Sequence, residues 1–127
     1  MKPTVLIIMP VGSDPEHDRR RAAIGRGVTR AGFEAQFPSY ELESPQFDMR
    51  VFADQLRQAT VVLADLSGER PSCYFELGFA QALGCSTLML AEGGTPIHQS
   101  AARETVTYYS DYEQLEHAVL QSLLQRR

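Results

Sequence analysis

The sequence predicts an α/β protein: a doubly wound, parallel sheet of about five strands with helices on both faces, folded as one domain over residues 1–127. The first observation is the run at 4–9, which is β-branched and apolar throughout and is bounded by Pro10 and Gly12. Such a run is typical of a parallel strand buried on both faces. The second is that short apolar runs alternate with helical patterns along the rest of the chain, which indicates a parallel sheet.

The boundaries of the predicted elements come from residues that start and stop helices. Asp14 and Pro15 form a start signal for the first helix, and Gly32 follows its end. Gly84 follows the end of the third helix, and Asp111 is a good N-cap for the last one. The predicted strands span 4–9, 33–37, 60–65, 86–91 and 105–109, and the first three predicted helices span 14–31, 48–59 and 73–83.

Two of the predicted helices show the apolar face by which they would pack on the sheet. These faces consist of Met49, Phe52, Ala53 and Leu56 in the second helix and of Leu115, Val119, Leu120 and Leu124 in the last. The resulting order of elements is that of flavodoxin-like and Rossmann-like folds. In such sheets ligands bind beyond the carboxyl ends of the strands, where the strand order reverses. The candidate loops are therefore 10–18, 65–72 and 91–100.

The charge balance argues against binding to a nucleic-acid polymer. The formal net charge is −4 and the pI is about 5.3, whereas a protein that neutralises a phosphate backbone needs a broad basic surface. One short basic cluster stands out, formed by Arg19, Arg20, Arg21, Arg26 and Arg30. This cluster is either a solvated helix face or a local phosphate contact.

The cysteines and apolar runs point to a reducing compartment. The opening run lacks the features of a secretory signal and no apolar run approaches the ~20 residues that span a membrane, so we expect a cytoplasmic protein. Cys73 and Cys85 would lie at opposite ends of one helix, about 18 Å apart, which is too far for a disulfide. Cysteines and histidines show no zinc-like spacing, and we expect neither a metal nor a cofactor.

Two carboxylates are predicted to meet at the end of the third strand, and they are our candidate catalytic residues. Asp65 closes the run TVVLAD at the carboxyl edge of the sheet, and a short loop leads from it into the helix that carries Glu76. Ser72 is the expected N-cap of this helix, which puts Glu76 in the first turn or just beyond it. A glutamate that only completed a capping box would stand at position 75, so Glu76 is offset from that role.

Glu76 itself has two interpretations. It could be an ordinary acidic residue near a helix N-terminus, where the helix dipole stabilises it by roughly a few tenths of a kcal/mol. Its neighbours Tyr74, Phe75, Leu77 and Phe79 favour another interpretation, because an acid embedded in an apolar run needs a reason to be there. A carboxylate balanced between a helix end and apolar surroundings can serve as a nucleophile or as an acid and base.

At these residues the sequence resembles a known family. The stretch ADLSGERPSCYFELGFAQALGCSTLML is similar to the signature of the nucleoside 2-deoxyribosyltransferase-like superfamily, which includes deoxyribonucleotide and CMP N-glycosidases and borders on the TIR-like domains. The opening LIIMPVGSD is similar as well. The resemblance implies that Glu76 attacks or stabilises the anomeric carbon of the sugar as the base departs. Water as the acceptor would make the protein a hydrolase, and a second base would make it a transferase.

The resemblance also implies substrate contacts in the first half of the chain. In relatives the loop after the first strand binds the sugar phosphate or the base, which here would involve Gly12, Ser13 and Arg19. A carboxylate before or within the second helix often holds the ribose hydroxyls. Asp48 is the candidate for that role and Asp54 is its competitor, although either residue could instead be a helix cap or a surface charge.

A further implied contact is shared between subunits. In the nucleotide-hydrolase branch a serine after the fourth strand reaches into the neighbouring subunit's site and meets the 5′-phosphate. Ser100 matches that serine, and His98 and Arg103 flank it as possible sources of positive charge. The resemblance therefore implies a homodimer that acts on a small nucleoside or nucleotide.

The sequence departs from the family pattern six residues before the glutamate. Several relatives have a further polar ligand there, whereas this chain has Arg70, with Glu69 and Ser67 nearby. Three functions stay open: an enzyme that cleaves the N-glycosidic bond of a nucleoside or nucleoside 5′-monophosphate, a TIR-like module that binds or cleaves NAD or another nucleotide, and a non-catalytic interaction domain.

Overall fold

The sheet of the computed structural model confirms the predicted fold class. The structure describes residues 2–10, 15–38, 48–98 and 102–126. Five parallel strands lie in the order β2-β1-β3-β4-β5, so the strand order reverses between β1 and β3. The strands are β1 (Thr4–Ile8), β2 (Glu34–Gln36), β3 (Val61–Asp65), β4 (Thr87–Glu92) and β5 (Thr107–Tyr109).

Four helices cover the two faces of this sheet. They are α1 (Pro15–Arg30), α2 (Met49–Gln58), α3 (Pro71–Ala82) and α4 (Tyr112–Leu124), and two short 3-10 turns span Ser67–Glu69 and Arg103–Thr105. Alternate strand residues such as Val61 and Leu63 enter a core with α1 and α4. Their neighbours Val62 and Ala64 enter a second core with α2 and α3, as the period of two along a strand requires.

Two predicted core positions are wrong. Met49 is 52% exposed because it is the first residue of α2, and burial on this helix begins one turn later, at Phe52. Leu124 is 45% exposed, whereas Leu123 is fully buried. In α4 the buried residues recur every fourth position, at 115, 119 and 123, and this spacing leaves Leu124 on the outer side.

The start of α3 also differs from the prediction. The helix begins at Pro71 after an N-cap residue, Arg70, whose side chain makes no capping hydrogen bond, so Ser72 lies inside the helix and is not its cap. Proline is favoured as the first helical residue because the amide hydrogen it lacks would have no partner there. Glu76 is consequently the sixth residue of α3, in the second turn, where the helix dipole acts on it more weakly than in the first turn.

Several helix boundaries were predicted correctly. Asp111 caps α4 by accepting a hydrogen bond from the Gln114 amide at 2.8 Å. Gly32 and Gly84 follow α1 and α3 with positive φ angles of 87° and 78°, which glycine adopts without strain. Both cysteines are free. In the part of the chain that the structure describes, none of the helices has the length and apolar character to cross a bilayer.

Candidate functional site

Asp65 lies at the carboxyl end of β3, and its side chain is completely buried. One carboxylate oxygen accepts a hydrogen bond from the Ser67 amide at 2.9 Å, and the other accepts one from the Tyr109 hydroxyl at 2.6 Å. The Nε atom of Arg20, in α1, lies 3.6 Å from that second oxygen. Both oxygens of Asp65 are thus occupied by protein groups.

These contacts extend into a polar network that is buried at Asp65, Ser67 and Tyr109 and reaches the surface at Glu92, whose side chain is 48% exposed. The Ser67 hydroxyl oxygen accepts a hydrogen bond from the Glu92 amide at 2.8 Å and lies 3.2 Å from the Tyr109 hydroxyl. Arg20 also donates to the Glu92 carboxylate at 3.1 Å. The network therefore ties the carboxyl ends of β3, β4 and β5 to α1, and hydrogen bonds in such a buried chain strengthen one another.

In this network the positive charge of Arg20 faces two carboxylates, those of Asp65 and Glu92. Burial is the largest cause that raises the pKa of the Tyr109 phenol, and the Asp65 carboxylate is the next. The phenol therefore stays protonated and donates a hydrogen bond to Asp65. Burial lowers the pKa of Arg20, but Asp65, Tyr109 and Glu92 together more than offset that effect, so its pKa is raised and its charge is secure. The Arg20 Nε atom is buried and has no hydrogen-bond partner among the residues described.

Glu76 is buried on the sheet-facing side of α3, where its side chain is 4% exposed. Burial raises the pKa of the nearby Cys73 thiol to about 12. The negative charges of Glu76 and Asp65 also raise this pKa, each by a smaller amount. Both acids therefore lie within electrostatic reach of one atom. Cys73 itself stays a thiol at neutral pH and is no nucleophile.

The two acids approach the edge of the sheet from opposite faces. Asp65 follows the alternation of Val61 and Leu63 and points toward α1, where it contacts Arg20. Glu76 belongs to α3, on the other face. The sequence predicted that the two carboxylates converge on one crevice, whereas in the structure Asp65 turns to the α1 face of the sheet and Glu76 is carried by α3 on the other face.

The flank of α3 that carries Glu76 faces α2. Phe79, three residues after Glu76, packs edge to face on Phe52 of α2 with ring centroids 5.7 Å apart. Residues three apart on a helix share a side, so Glu76 lies on this flank too. α2 packs on β1, and α3 packs on both β1 and β3, the two strands between which the strand order reverses.

His98 follows β4 and is held by Glu69. Its ring Nδ1 lies 3.0 and 3.1 Å from the two Glu69 oxygens, and its backbone amide donates to one of them at 3.2 Å. The Tyr74 hydroxyl donates to the same oxygen at 2.9 Å. Burial raises the pKa of Glu69, but the hydrogen bonds from His98 and Tyr74 more than offset this effect, so the pKa is lowered. The sequence predicted His98 as a possible source of positive charge for a phosphate, and in the structure its ring instead contacts the Glu69 carboxylate.

The two candidate ribose ligands in the first half of the chain have structural partners. Asp48 is the N-cap of α2 and accepts hydrogen bonds from the amides of Arg50 and Val51 at 2.9 and 3.2 Å. Asp54 pairs with Arg57 of the same helix at 3.3 Å. Both acids are exposed, so the cap and surface interpretations account for the contacts they make.

The arginine cluster of α1 is divided among different partners. Arg19 pairs with Glu16 on the exposed side of the helix, and the Arg21 guanidinium lies 3.9 Å from the centroid of the Phe37 ring. Arg26 and Arg30 each contact Glu116 of α4 at 2.7 Å, and their hydrogen bonds lower the pKa of that carboxylate. The cluster is therefore not one continuous basic surface.

Three of the predicted substrate contacts, Gly12, Ser13 and Ser100, lie outside the described residues. Arg103 is exposed in the second 3-10 turn. Within the described ranges no three histidine, cysteine, aspartate or glutamate side chains come together as a metal site would require.

Sequence reasoning missed Tyr109 and Ser67 as partners of Asp65, and it missed Glu92 as a further member of the network through Ser67 and Arg20. The available signal was that Tyr109, Glu92 and Asp65 each close a strand, so parallel pairing brings them to the same edge.

Comparison with known proteins finds likeness in fold only. No protein-family model matches the chain, and no curated protein matches it in sequence. The solved CMP N-glycosidase BcmB of Clostridium botulinum is 15% identical, with 94% of this chain and 98% of that chain covered and a TM-score of 0.66. The 2-deoxyribosyltransferase of Bacillus psychrosaccharolyticus is 17% identical, with 94% and 95% covered and a TM-score of 0.62.

The same fold is also found in a protein of a different class. A diflavin flavoprotein A3 from Nostoc sp. is 15% identical, with 100% of this chain and 97% of that chain covered and a TM-score of 0.59. At these identities the likeness shows the fold, and a fold alone does not select a chemistry. The solved structures thus confirm the α/β fold that the alternation of strands and helices predicted.

Proposed function

We propose that this protein cleaves the N-glycosidic bond of a nucleoside or nucleoside 5′-monophosphate, with Glu76 as the nucleophile. The observation that carries the proposal is the position of Glu76: an acid only 4% exposed, flanked in sequence by apolar residues, on a helix that packs on both β1 and β3. A buried acid at a strand-order reversal is where ligands bind in this fold class. Two solved proteins with the same fold are a CMP N-glycosidase and a 2-deoxyribosyltransferase.

The reaction follows from the chemistry of a carboxylate beside a sugar. A Glu76 oxygen bonds to the anomeric carbon on the face opposite the base, and the bond from that carbon to the base nitrogen breaks. The bonding electron pair leaves with the base, which then takes up a proton. Water hydrolyses the glycosyl ester in a hydrolase, and a second base replaces Glu76 in a transferase.

Asp65 contributes to this site as a positioning residue. Both of its oxygens are bound by Ser67 and Tyr109, so it acts through the network and not on the sugar. The network fixes Arg20 and the ends of three strands, and a preorganised edge lowers the cost of placing a substrate against Glu76. The proposed substrate contacts are Gly12, Ser13, Arg19, Asp48 and His98, with Ser100 of the partner subunit meeting the 5′-phosphate. Three of these, Arg19, Asp48 and His98, would have to contact the substrate in addition to, or in place of, their present partners.

The test is base release from a panel of substrates. Purified protein is incubated with the ribo and deoxyribo forms of each nucleoside and 5′-monophosphate and with NAD, and free base is followed by chromatography. We expect release from at least one nucleoside or monophosphate and a loss of roughly 100-fold or more in Glu76→Gln. Glu104→Gln, at an exposed acid, is the matched control. No base from any compound, or equal release by Glu76→Gln, contradicts the proposal, and nicotinamide release from NAD alone favours the TIR-like alternative.

The shared site of a homodimer has its own test. Glu76→Ala and Ser100→Ala are purified separately, each with little activity, and are then mixed under conditions that allow subunits to exchange. If each site needs Glu76 of one subunit and Ser100 of the other, mixed dimers contain one intact site and about a quarter of the wild-type activity returns at random exchange, by the logic of a two-fold interface. Two variants that stay inactive together, or a monomer in light scattering, contradict the shared site.

A further inference from the structure

Glu69 joins the loop after β3 to the chain after β4. It receives the amide and ring of His98 and the hydroxyl of Tyr74, which come from two separate parts of the chain. We call Glu69, Tyr74 and His98 the clasp. The clasp lies at the carboxyl edge of the sheet, where the proposed site also lies, but none of the proposed chemistry uses Glu69 or Tyr74.

The clasp and Glu76 occupy different flanks of α3. Tyr74 and Glu76 are two residues apart, which is a rotation of about 200° around the helix. Glu76 shares the α2 flank with Phe79, whereas Tyr74 faces the chain after β4 through Glu69. Glu69 contacts the start of α3 through Tyr74 and the chain after β4 through His98, and these are the two routes by which it can influence a sugar at Glu76.

The backbone at Glu69 is strained in a way that its contacts offset. Glu69 has a φ of +49° and follows Gly68 at +74°, so two successive residues lie in the left-handed region. Glycine adopts this conformation freely, but a glutamate there is disfavoured and persists only where surrounding contacts hold it. The hydrogen bonds from His98 and Tyr74 are such contacts.

The clasp is open to solvent. A cavity of about 330 Å³ is lined by Glu69, Pro71, Tyr74 and His98, and the His98 side chain is 67% exposed. Glu69 and Tyr74 are only partly buried, so solvent reaches these residues as well. The hydrogen bonds to the Glu69 carboxylate hold Tyr74 and His98 in place, and a single substitution of Glu69 should release both residues.

We propose that Glu69 is a positioning residue of the candidate site, which fixes the chain after β4 against the start of α3 and so sets how the loops at this edge enclose a substrate. The inference rests on the proposed function. It extends that function to a residue that the family resemblance did not assign and that holds His98, one of the proposed substrate contacts. Loss of the clasp should weaken substrate binding without unfolding the protein.

The first experiment measures the clasp without any substrate. Exchange of the His98 amide hydrogen with solvent deuterium is compared in wild type, Glu69→Ala, Tyr74→Phe and the matched control Glu104→Gln. Because the His98 amide donates to Glu69, we expect exchange about tenfold faster in Glu69→Ala and unchanged in Glu104→Gln. Equal exchange in wild type and Glu69→Ala overturns the inference.

The second experiment measures the substrate that the wild type cleaves. We expect KM to rise roughly tenfold in Glu69→Ala, while the melting temperature stays within about 2 °C of wild type, and Glu69→Gln, which keeps an acceptor oxygen, to recover part of the loss. A merely structural defect would lower kcat in proportion to the folded fraction and leave KM unchanged, and that result overturns the inference. If the wild type releases no base, the proposed function fails and this inference fails with it, whereas an active wild type with an unaffected Glu69→Ala removes the inference alone.

Discussion

The Tyr109 hydroxyl donates a 2.6 Å hydrogen bond to the Asp65 carboxylate across 44 positions of sequence, inside the carboxyl edge of the sheet. Asp65 is fully buried and Tyr109 is 2% exposed, so water cannot replace either partner. The bond joins β3 to β5, two strands that are not neighbours, across the end of β4. The bond therefore fixes the carboxyl ends of β3 and β5 relative to each other.

Tyr109→Phe tests the strength of this crosslink. The substitution keeps the ring and removes the donor, so one oxygen of a buried carboxylate loses a hydrogen bond. We expect a loss of about 2 kcal/mol in the free energy of unfolding, measured by urea denaturation with an unchanged slope. Tyr108→Phe is the matched control, because Tyr108 is 50% exposed and neighbours Tyr109 in β5, and it should change stability by less than about 0.5 kcal/mol. Equal stabilities of the two variants would show that the bond contributes nothing.

The pKa of Tyr109 predicts a loss of stability at alkaline pH. Burial and Asp65 raise the pKa of the folded phenol above its usual value of 10.0. A raised pKa means that the folded state holds the proton more tightly, so this contribution is complete below pH 10 and declines as pH rises toward the folded value. Wild type should therefore lose stability more steeply than Tyr109→Phe above about pH 10, measured by unfolding at several pH values. Parallel curves for the two proteins would contradict the assignment.

Much of the fold was predictable because its signals are local. Asp111 caps α4 and Gly84 ends α3 through contacts within a few residues. The continuous apolar runs of the strands indicate, without any long-range information, that the strands are buried. The start of α3 was less predictable, since Ser72 and Pro71 are both good first-turn residues and only the tertiary path of the preceding loop decides between them.

The candidate site was predictable only in part, because its contacts are long-range. Glu76 was found from its apolar neighbours and the motif around it. Nothing local indicates that Asp65 would be bound by Tyr109 and Arg20, which stand 44 and 45 positions away, or that its carboxylate would turn to the face of the sheet opposite Glu76. A strand that ends in an acid gives the position of the carboxylate, but its partners depend on strand order.

Gly27 and Gly25 form a matched pair for testing the crossing of α1 and α4. A Cβ added at Gly27 would lie 2.8 Å from the Glu116 carbonyl oxygen and 2.8 Å from the Val119 Cβ, whereas one at Gly25 would meet nothing within 4 Å. We expect Gly27→Ala to lower the free energy of unfolding by about 2 kcal/mol through overpacking. Gly25→Ala should raise it by roughly 0.5–1 kcal/mol, because alanine favours a helix. Urea denaturation measures both, and a stabilising Gly27→Ala would contradict the close crossing.

The two cysteines should differ in reactivity although both are free. Burial, with Glu76 and Asp65, raises the pKa of the Cys73 thiol to about 12, and Cys73 is 1% exposed, so almost no accessible thiolate exists at pH 8. Cys85 is only partly buried, and its pKa is raised by desolvation alone, against the Arg57 charge. A thiol reagent at pH 8 should therefore label the native protein at Cys85, and Cys85→Ser should abolish labelling while Cys73→Ser leaves it intact. In denaturant both thiols should react. Fast labelling of Cys73 in the native state would contradict this prediction. It would mean that the part of α3 next to Glu76 opens to solvent, which would give a substrate a route to that carboxylate.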